Sequence, residues 1–210
     1  MRWILWIGGG CFVLTILAGL SSPVILRSRK ASDRTEAINN IKQINLALID
    51  FDYEYGAYPD ASTIPPVKAA TSTTLTLGSS TSNELFRQLI AAGHKSEKIF
   101  WAKSAVSPRK GNDILGADAL KKGECGFTYI AGLSTSSDPS APVAMVPVIP
   151  GTWKFDPKPL KGWAVVLRID GSARPEPIDK NGDVMIGGMS IFDSHQPYWH
   201  GKTPDIKWPE

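Results

Sequence analysis

Apolar residues in this chain follow three spacings, and each predicts a different kind of element. From Trp3 to Leu26 the sequence WILWIGGGCFVLTILAGLSSPVIL holds no charged residue. At about 1.5 Å per residue a helix of that length covers a hydrocarbon core about 30 Å thick. Residues 1–30 are therefore predicted to be a transmembrane helix ending in a basic collar, Arg27, Arg29 and Lys30. Past the collar the apolar residues thin into a seam, Ile38, Ile41, Ile44, Leu48, Phe51 and Tyr55, at steps of three and four. That spacing predicts an amphipathic continuation of the same helix over 31–56. Gly56 stands where a left-handed cap belongs, and Tyr58-Pro59 forbids further helix. A second seam, Leu46, Ile49 and Tyr53, lies a third of a turn or more away, with Lys42 and Asp50 nearby. One sheet cannot cover both seams, so the second is a candidate assembly interface.

From Cys125 the period falls to two. The runs CGFTYIAG, PVAMVPVIP and WAVVLRIDGSARPEPI are β-branched or aromatic and are bounded by Gly, Pro, Asp and Ser, as strands of a small antiparallel sheet are. In the third run Val165, Leu167 and Ile169 make the more apolar face, expected to meet the helix seam. Asp170-Gly171 predicts a hairpin into Ala173 to Ile178, and Pro147, Pro175 and Pro177 suit sheet edges. Between helix and sheet, 60–82 reads as a surface loop around Pro65-Pro66, pinned by Leu75 and Leu77. Ser82 is expected to cap a short helix carrying Leu85, Phe86, Leu89 and Ile90 and ended by Gly93. Phe100-Trp101 reads as core, and Ala117 to Lys122 as one helical turn. The expected fold class is α+β: a long N-terminal helix, half in membrane and half amphipathic, packed on a small antiparallel β-sheet. Its organisation is 1–30 in the membrane and 31–210 as one globular domain, with 31–56 helical, 57–122 loop and short helices, and 123–210 sheet and C-terminal loop.

Composition adds mainly exclusions. About 180 residues outside the apolar run are enough for one cored domain. Against 23 Lys and Arg stand 20 Asp and Glu, with no basic run interleaved with aromatics, so nucleic acid is not an expected partner. Cys11 lies in the apolar run and Cys125 outside it, so a disulfide between them would have to join lipid to water. No G-x-S-x-G turn, Walker loop or dinucleotide fingerprint occurs, and no enzyme is expected. Asp179, Asn181 and Asp183 alternate as in the start of a calcium loop, a weak calcium candidate. An Asn-Gly turn accounts for the same residues, and no cofactor is expected. Asp193, His195 and His200 are too loosely spaced for a metal set. Tyr198, Trp199 and Trp208 fit a docking surface less well than a last packed segment.

A cleavable signal peptide competes for the N-terminus, because Met1-Arg2 precedes an apolar core. The length of the run and the lack of an Ala-x-Ala site weigh against it. Within the run Gly8, Cys11, Thr15, Gly19 and Ser22 line one helix face as a stripe of small residues. Such a stripe fits close packing of neighbouring helices, and a glycine-rich span facing lipid accounts for it equally well.

Residues 40–60, NIKQINLALIDFDYEYGAYPD, resemble the end of the N-terminal helix in type IV pilin-like proteins and type II secretion pseudopilins. The shared features are Ala47-Leu48, the aromatics Phe51 and Tyr53, and the ending Tyr55-Gly56, Tyr58-Pro59. The apolar run with Pro23 extends the resemblance over the first sixty residues, and GECGFTYIAGL and WAVVLRIDGSA resemble strands of pilin-like heads more loosely. The resemblance implies a non-enzymatic pilin-like or pseudopilin-like subunit of a type IV pilus or type II secretion-like assembly. Its expected partners are other pilin-like subunits, secretion or pilus machinery and membrane lipid. Its expected place is the bacterial cell membrane, single-pass, with the globular domain in the periplasm or at the cell surface. Some pseudopilins hold calcium near the end of the sheet, which is where Asp179 to Asp183 fall. One departure stands out: prepilins carry a polar leader ending in glycine and an early glutamate, whereas Gly10-Cys11-Phe12 follows apolar residues and no acid precedes Asp33. The alternative is a membrane-tethered extracytoplasmic binding protein with a pilin-like fold that does not form filaments.

Overall fold

The computed structural model describes residues 31–117 and 119–210. The expected transmembrane segment, its small-residue stripe, Pro23 and the collar lie outside these residues. Among the described residues no helix is long and apolar enough to cross a membrane.

Residues 31–55 are helical (α1), and the chain leaves the helix at Gly56, whose φ of 77° gives the left-handed turn while its N–H donates to the Asp52 carbonyl at 2.7 Å. The seam at steps of three and four faces inward. Ile41, Ile44, Leu48 and Phe51 are buried, while Ile38 and Tyr55 at its ends are partly buried against the core. Ala37 and Ala47 add buried small side chains to that face.

Two further α-helices follow. The 60–82 stretch is not a plain surface loop, because α2 occupies Ile64–Thr71. The prolines that suggested irregular chain sit in its first turn, where a missing N–H costs nothing. Leu75 is buried beyond it. Helix α3 spans Ser82–Ala91, and Thr81 rather than Ser82 is the cap, its hydroxyl accepting from the Glu84 N–H at 3.2 Å. Gly93, at φ 110°, ends it. Buried Gln88 ties α3 to the turn before α2: its Nε2 donates to the Asp60 carbonyl at 2.9 Å and its Oε1 accepts from the Thr63 hydroxyl at 2.7 Å. A 3-10 turn at Glu97–Phe100 buries Ile99 and Phe100 and leaves Trp101 half-buried. The helical turn expected over 117–122 is absent among the described residues there, which form turns with Leu120 at φ 52°.

Five antiparallel strands form the sheet, β1 at Thr128–Ala131, β2 at Pro142–Val146, β3 at Trp163–Arg168, β4 at Ala173–Pro177 and, past a small hairpin, β7 at Asp205–Lys207. Their order is β4-β3-β2-β1-β7. Asp170-Gly171 makes the β3–β4 turn, with Gly171 at φ 78° and the Arg168 N–H donating to the Ser172 carbonyl at 3.0 Å. Pro175 and Pro177 lie on edge strand β4; Pro147 instead follows interior strand β2, just past the ladder, where no donor is required. The small hairpin pairs β5, Met185–Ile186, with β6, Met189–Ser190, across Gly187-Gly188, both at positive φ.

The sheet is covered more fully than a single apolar face requires. Val165, Leu167 and Ile169 are buried, and so are Ala164 and Val166, so successive residues of β3 are covered on both faces. Rings outside the strands, Phe155, Phe192, Tyr198 and Trp199, belong to the same buried cluster as α1 and β3. Phe155 stacks on Phe192 at 5.5 Å, and Trp199 Nε1 donates to the Ile191 carbonyl at 2.9 Å. Tyr198 and Trp199 are thus a packed segment, and Trp208 rests partly buried, its indole donating to the Thr152 carbonyl at 3.0 Å.

Candidate functional site

The side-chain ties that α1 makes to the rest of the head leave from the flanks of its buried seam. Asn40 donates to the carbonyls of Lys98 and Trp101 at 3.2 and 2.8 Å, closing the end of the 3-10 turn. Arg34 lies over the Trp163 ring, 5.2 Å from its centre. Asp33 pairs with Lys103 at 2.7 Å, Glu36 pairs with Lys110, and Asp52 accepts from the Thr135 hydroxyl and N–H. The remaining arc of the helix carries Leu46, Ile49 and Tyr53, exposed to 62%, 40% and 96%. Three large apolar side chains in a row on one exposed helix face need a reason, since burying each would be favourable by about 1.5 to 3 kcal/mol.

Beside this stripe runs a groove of about 220 Å³ between α1 and the end of α3. Ala47 and Phe51 of α1 and Leu89 of α3 give it an apolar floor, and Asp50, Glu54 and His94 give it polar walls. Ile49, Asp50, Tyr53 and Glu54 together line a shallower hollow on the outer side. Burial holds the His94 imidazole below its ordinary pKa, against the opposing effects of a backbone hydrogen bond at Ser96 and the nearby Asp50 charge. Its ring stands edge-on to Phe100 at 5.9 Å. The groove ends at the C-terminus of α3, whose dipole adds to the negative potential of the two carboxylates.

The other candidate chemistry is accounted for locally. Asp179 Oδ1 accepts from the N–H groups of Asn181 and Asp183, both at 2.8 Å, and these bonds hold its carboxyl below the ordinary range. Asp183 pairs with Lys154 at 2.6 Å, and Gly182 turns the chain at φ 81°. That is a bridged turn between Ile178 and Val184, with its carboxylates spent on backbone and lysine. Among the described residues no group of three or more His, Cys, Asp or Glu is gathered as a metal requires. Asp193 holds His195 at 2.9 Å, while His200 is exposed and sits in its own left-handed turn. Cys125 is a buried free thiol whose pKa is pushed up to about 12 by burial, the opposite of a reactive cysteine.

The sequence reading placed Leu46, Ile49 and Tyr53 on one face but missed the groove, because its far wall comes from α3 and no spacing in α1 reports it. No protein-family model, curated protein or solved structure matches this chain.

Proposed function

We propose that this protein is a non-enzymatic, pilin-like or pseudopilin-like subunit of a type IV pilus or type II secretion-like assembly in the bacterial cell envelope. Residues 1–30 anchor it in the membrane as the first part of one long helix, and the folded part stands in the periplasm or at the cell surface. Subunits associate by helix packing, through the stripe Leu46, Ile49 and Tyr53 above the membrane and Gly8, Cys11, Thr15, Gly19 and Ser22 within it. The observation that carries this reading is the exposure of the Leu46, Ile49 and Tyr53 row on a helix whose opposite face is core. The α+β head, with its helix held against an antiparallel sheet, supports the same reading, as does the Tyr-Gly-x-Tyr-Pro ending. The test is a cysteine scan at Leu46, Ile49 and Tyr53 in native membranes. Cross-linked dimers and higher species are expected at all three, and monomers alone would sink the proposal.

A second reading is favoured by one observation, that residues 11–32 carry no acid. It is a membrane-tethered extracytoplasmic binding protein that keeps the fold without forming filaments. It predicts an intact N-terminus by mass spectrometry and no cross-links from the stripe.

A further inference from the structure

Helix α1 and strand β3 run the same way, and the head has two unlike ends along that direction. Strand β3 begins at Trp163, under Arg34, and leads to the turn where Gly171 meets Asn45. The end reached by the last turns of α1 is chiefly acidic, with Asp52, Glu54, Asp138, Asp170 and Asp205 around it. The end at the first turns of α1 is basic and apolar. Lys103 pairs there with Asp33 at 2.7 Å, and Lys110 pairs with Glu36 and lies 4.5 Å from the centre of the Trp101 ring. Lys158 and Lys161 are exposed at the same end and form no ion pair among the described residues. Beside them opens a hollow of about 380 Å³ walled by Ala105, Val106, Pro147, Ile149 and Pro157. Asp156 also lines it, and its carboxylate accepts from the Lys158 N–H at 2.9 Å. Ile149 at the rim is 41% exposed, and Trp163 is 37% exposed.

Exposed apolar side chains beside free lysines match the interfacial layer of a bilayer, where indole rings sit at headgroup level and lysine stems lie along apolar surface. The length of chain before the head brings that layer close. Leu26, the last residue of the uncharged run, precedes Asp33 by seven residues, about 10 Å at the rise of a helix, and the headgroup layer on one side of a bilayer is about 5 to 8 Å deep. We infer that the basic end of the head is a docking surface for anionic phospholipid of the membrane that holds residues 1–30. Lys158 and Lys161 meet headgroup phosphates, and the hollow with Ile149 takes the apolar part of the lipid just below them. Arg27, Arg29 and Lys30 add their charge to the same layer. The acidic end is repelled by the same lipid, so the head stands in one orientation on the bilayer. This docking rests on the anchoring proposed above and gives the head a contact of its own with that bilayer.

The test uses the full chain with Cys11→Ser, reconstituted in vesicles of phosphatidylcholine with about one third phosphatidylglycerol. Cys125 is buried, so a thiol-reactive fluorophore labels an added cysteine and leaves it alone. A label on Ile149→Cys should be quenched by lipid carrying a headgroup nitroxide at least threefold more than one on Lys202→Cys, which lies beside Asp205 at the acidic end. That excess should fall to less than half in phosphatidylcholine alone, and equally in the double variant Lys158→Gln with Lys161→Gln. Anchoring is read separately, from the unsubstituted chain labelled at Cys11 and quenched by a nitroxide on the lipid acyl chain. If Cys11 is quenched while Ile149→Cys is quenched no more than Lys202→Cys, the anchor stands and the docking surface is overturned. If Cys11 is not quenched, the anchoring reading falls and the docking falls with it. Quenching at 149 that ignores lipid charge and both lysines overturns the proposal. So does a label there that is shielded from water yet unquenched by lipid, as beneath a second protein.

Discussion

Leu46 and Leu48 lie two residues apart in the middle of α1, so cutting each to alanine compares its two faces with the chemistry held constant. Leu48 is fully buried. Leu48→Ala removes three carbons from a packed site, and the lost transfer energy plus the cavity left behind come to about 2 to 5 kcal/mol. Against a total stability of about 5 to 15 kcal/mol, that is a large share. Leu46 already shows 62% of its surface to water. Leu46→Ala forfeits little burial and gains slightly in helix propensity, for a net change within about 0.5 kcal/mol. Its cost should appear in association instead, where covering the leucine contributes about 1.5 kcal/mol, roughly tenfold in the association constant. The assay is urea unfolding of the full chain in detergent followed by tryptophan fluorescence, with cross-linking yield in membranes measured on the same variants. A Leu46→Ala loss as large as that of Leu48→Ala would mean the outer face belongs to the protein's own core. A neutral Leu48→Ala would mean the head does not grip α1 at all.

Gly126→Ala should abolish cooperative unfolding or cost more than about 3 kcal/mol, since a Cβ there would stand 2.2 Å from the Ala102 carbonyl oxygen and 2.7 Å from its nitrogen. Gly116→Ala, with nothing within 4 Å, is the neutral control in the same urea titration. Cys125, with its pKa near 12, should resist iodoacetamide at pH 8 in the native protein and react once unfolded, so mass spectrometry should find alkylation at Cys125 tracking the unfolded fraction. His94 titrates below 6.5 in the folded head, so the unfolded chain binds the extra proton first. Its contribution is complete above pH 6.5 and is lost as pH falls from there through the lowered folded value. His94→Gln should flatten the dependence of the urea midpoint on pH in that window, and an unchanged slope would refute the assignment.

How much of this was legible depended on whether the deciding contact was local. The α1 seam, the three main strands and the Asp170-Gly171 turn each carry their own signal within a few residues, and each is found where that signal puts it. Helix α2 was hidden because Pro65-Pro66 has two meanings, and only the burial of Val67 beneath the first turn selects the helical one. The Gly187-Gly188 hairpin was readable, flanked by Met185-Ile186 and Met189, and was passed over. Strand β7 was not readable: Asp205–Lys207 is three residues long, set among prolines, and is a strand because Tyr129, Ile130 and Ala131 lie opposite it. Buried Asn83 and Gln88 likewise look like the wet side of α3. Asn83 is inside because it donates to the carbonyls of Leu120 and Lys121 and accepts from the Glu210 N–H, contacts far apart in sequence.

A helix with two apolar seams poses a question that hydrophobicity alone does not answer, namely which seam goes inward. Turning α1 by about 150° would offer Leu46, Ile49 and Tyr53 to the sheet at little apolar cost. Directional and steric contacts decide against that rotation. Asn40 would lose both carbonyls that its amide holds at 2.8 and 3.2 Å, and Asp52 would lose Thr135. Asn45 is buried against the β3–β4 turn, so close that a Cβ on Gly171 would come within 3.1 Å of its Nδ2. Ala37 and Ala47 let the inward face lie close, while Tyr53 at its opposite pole is too bulky to do so. The polar residues of α1 therefore fix its rotation, and in doing so they fix which apolar row is left exposed.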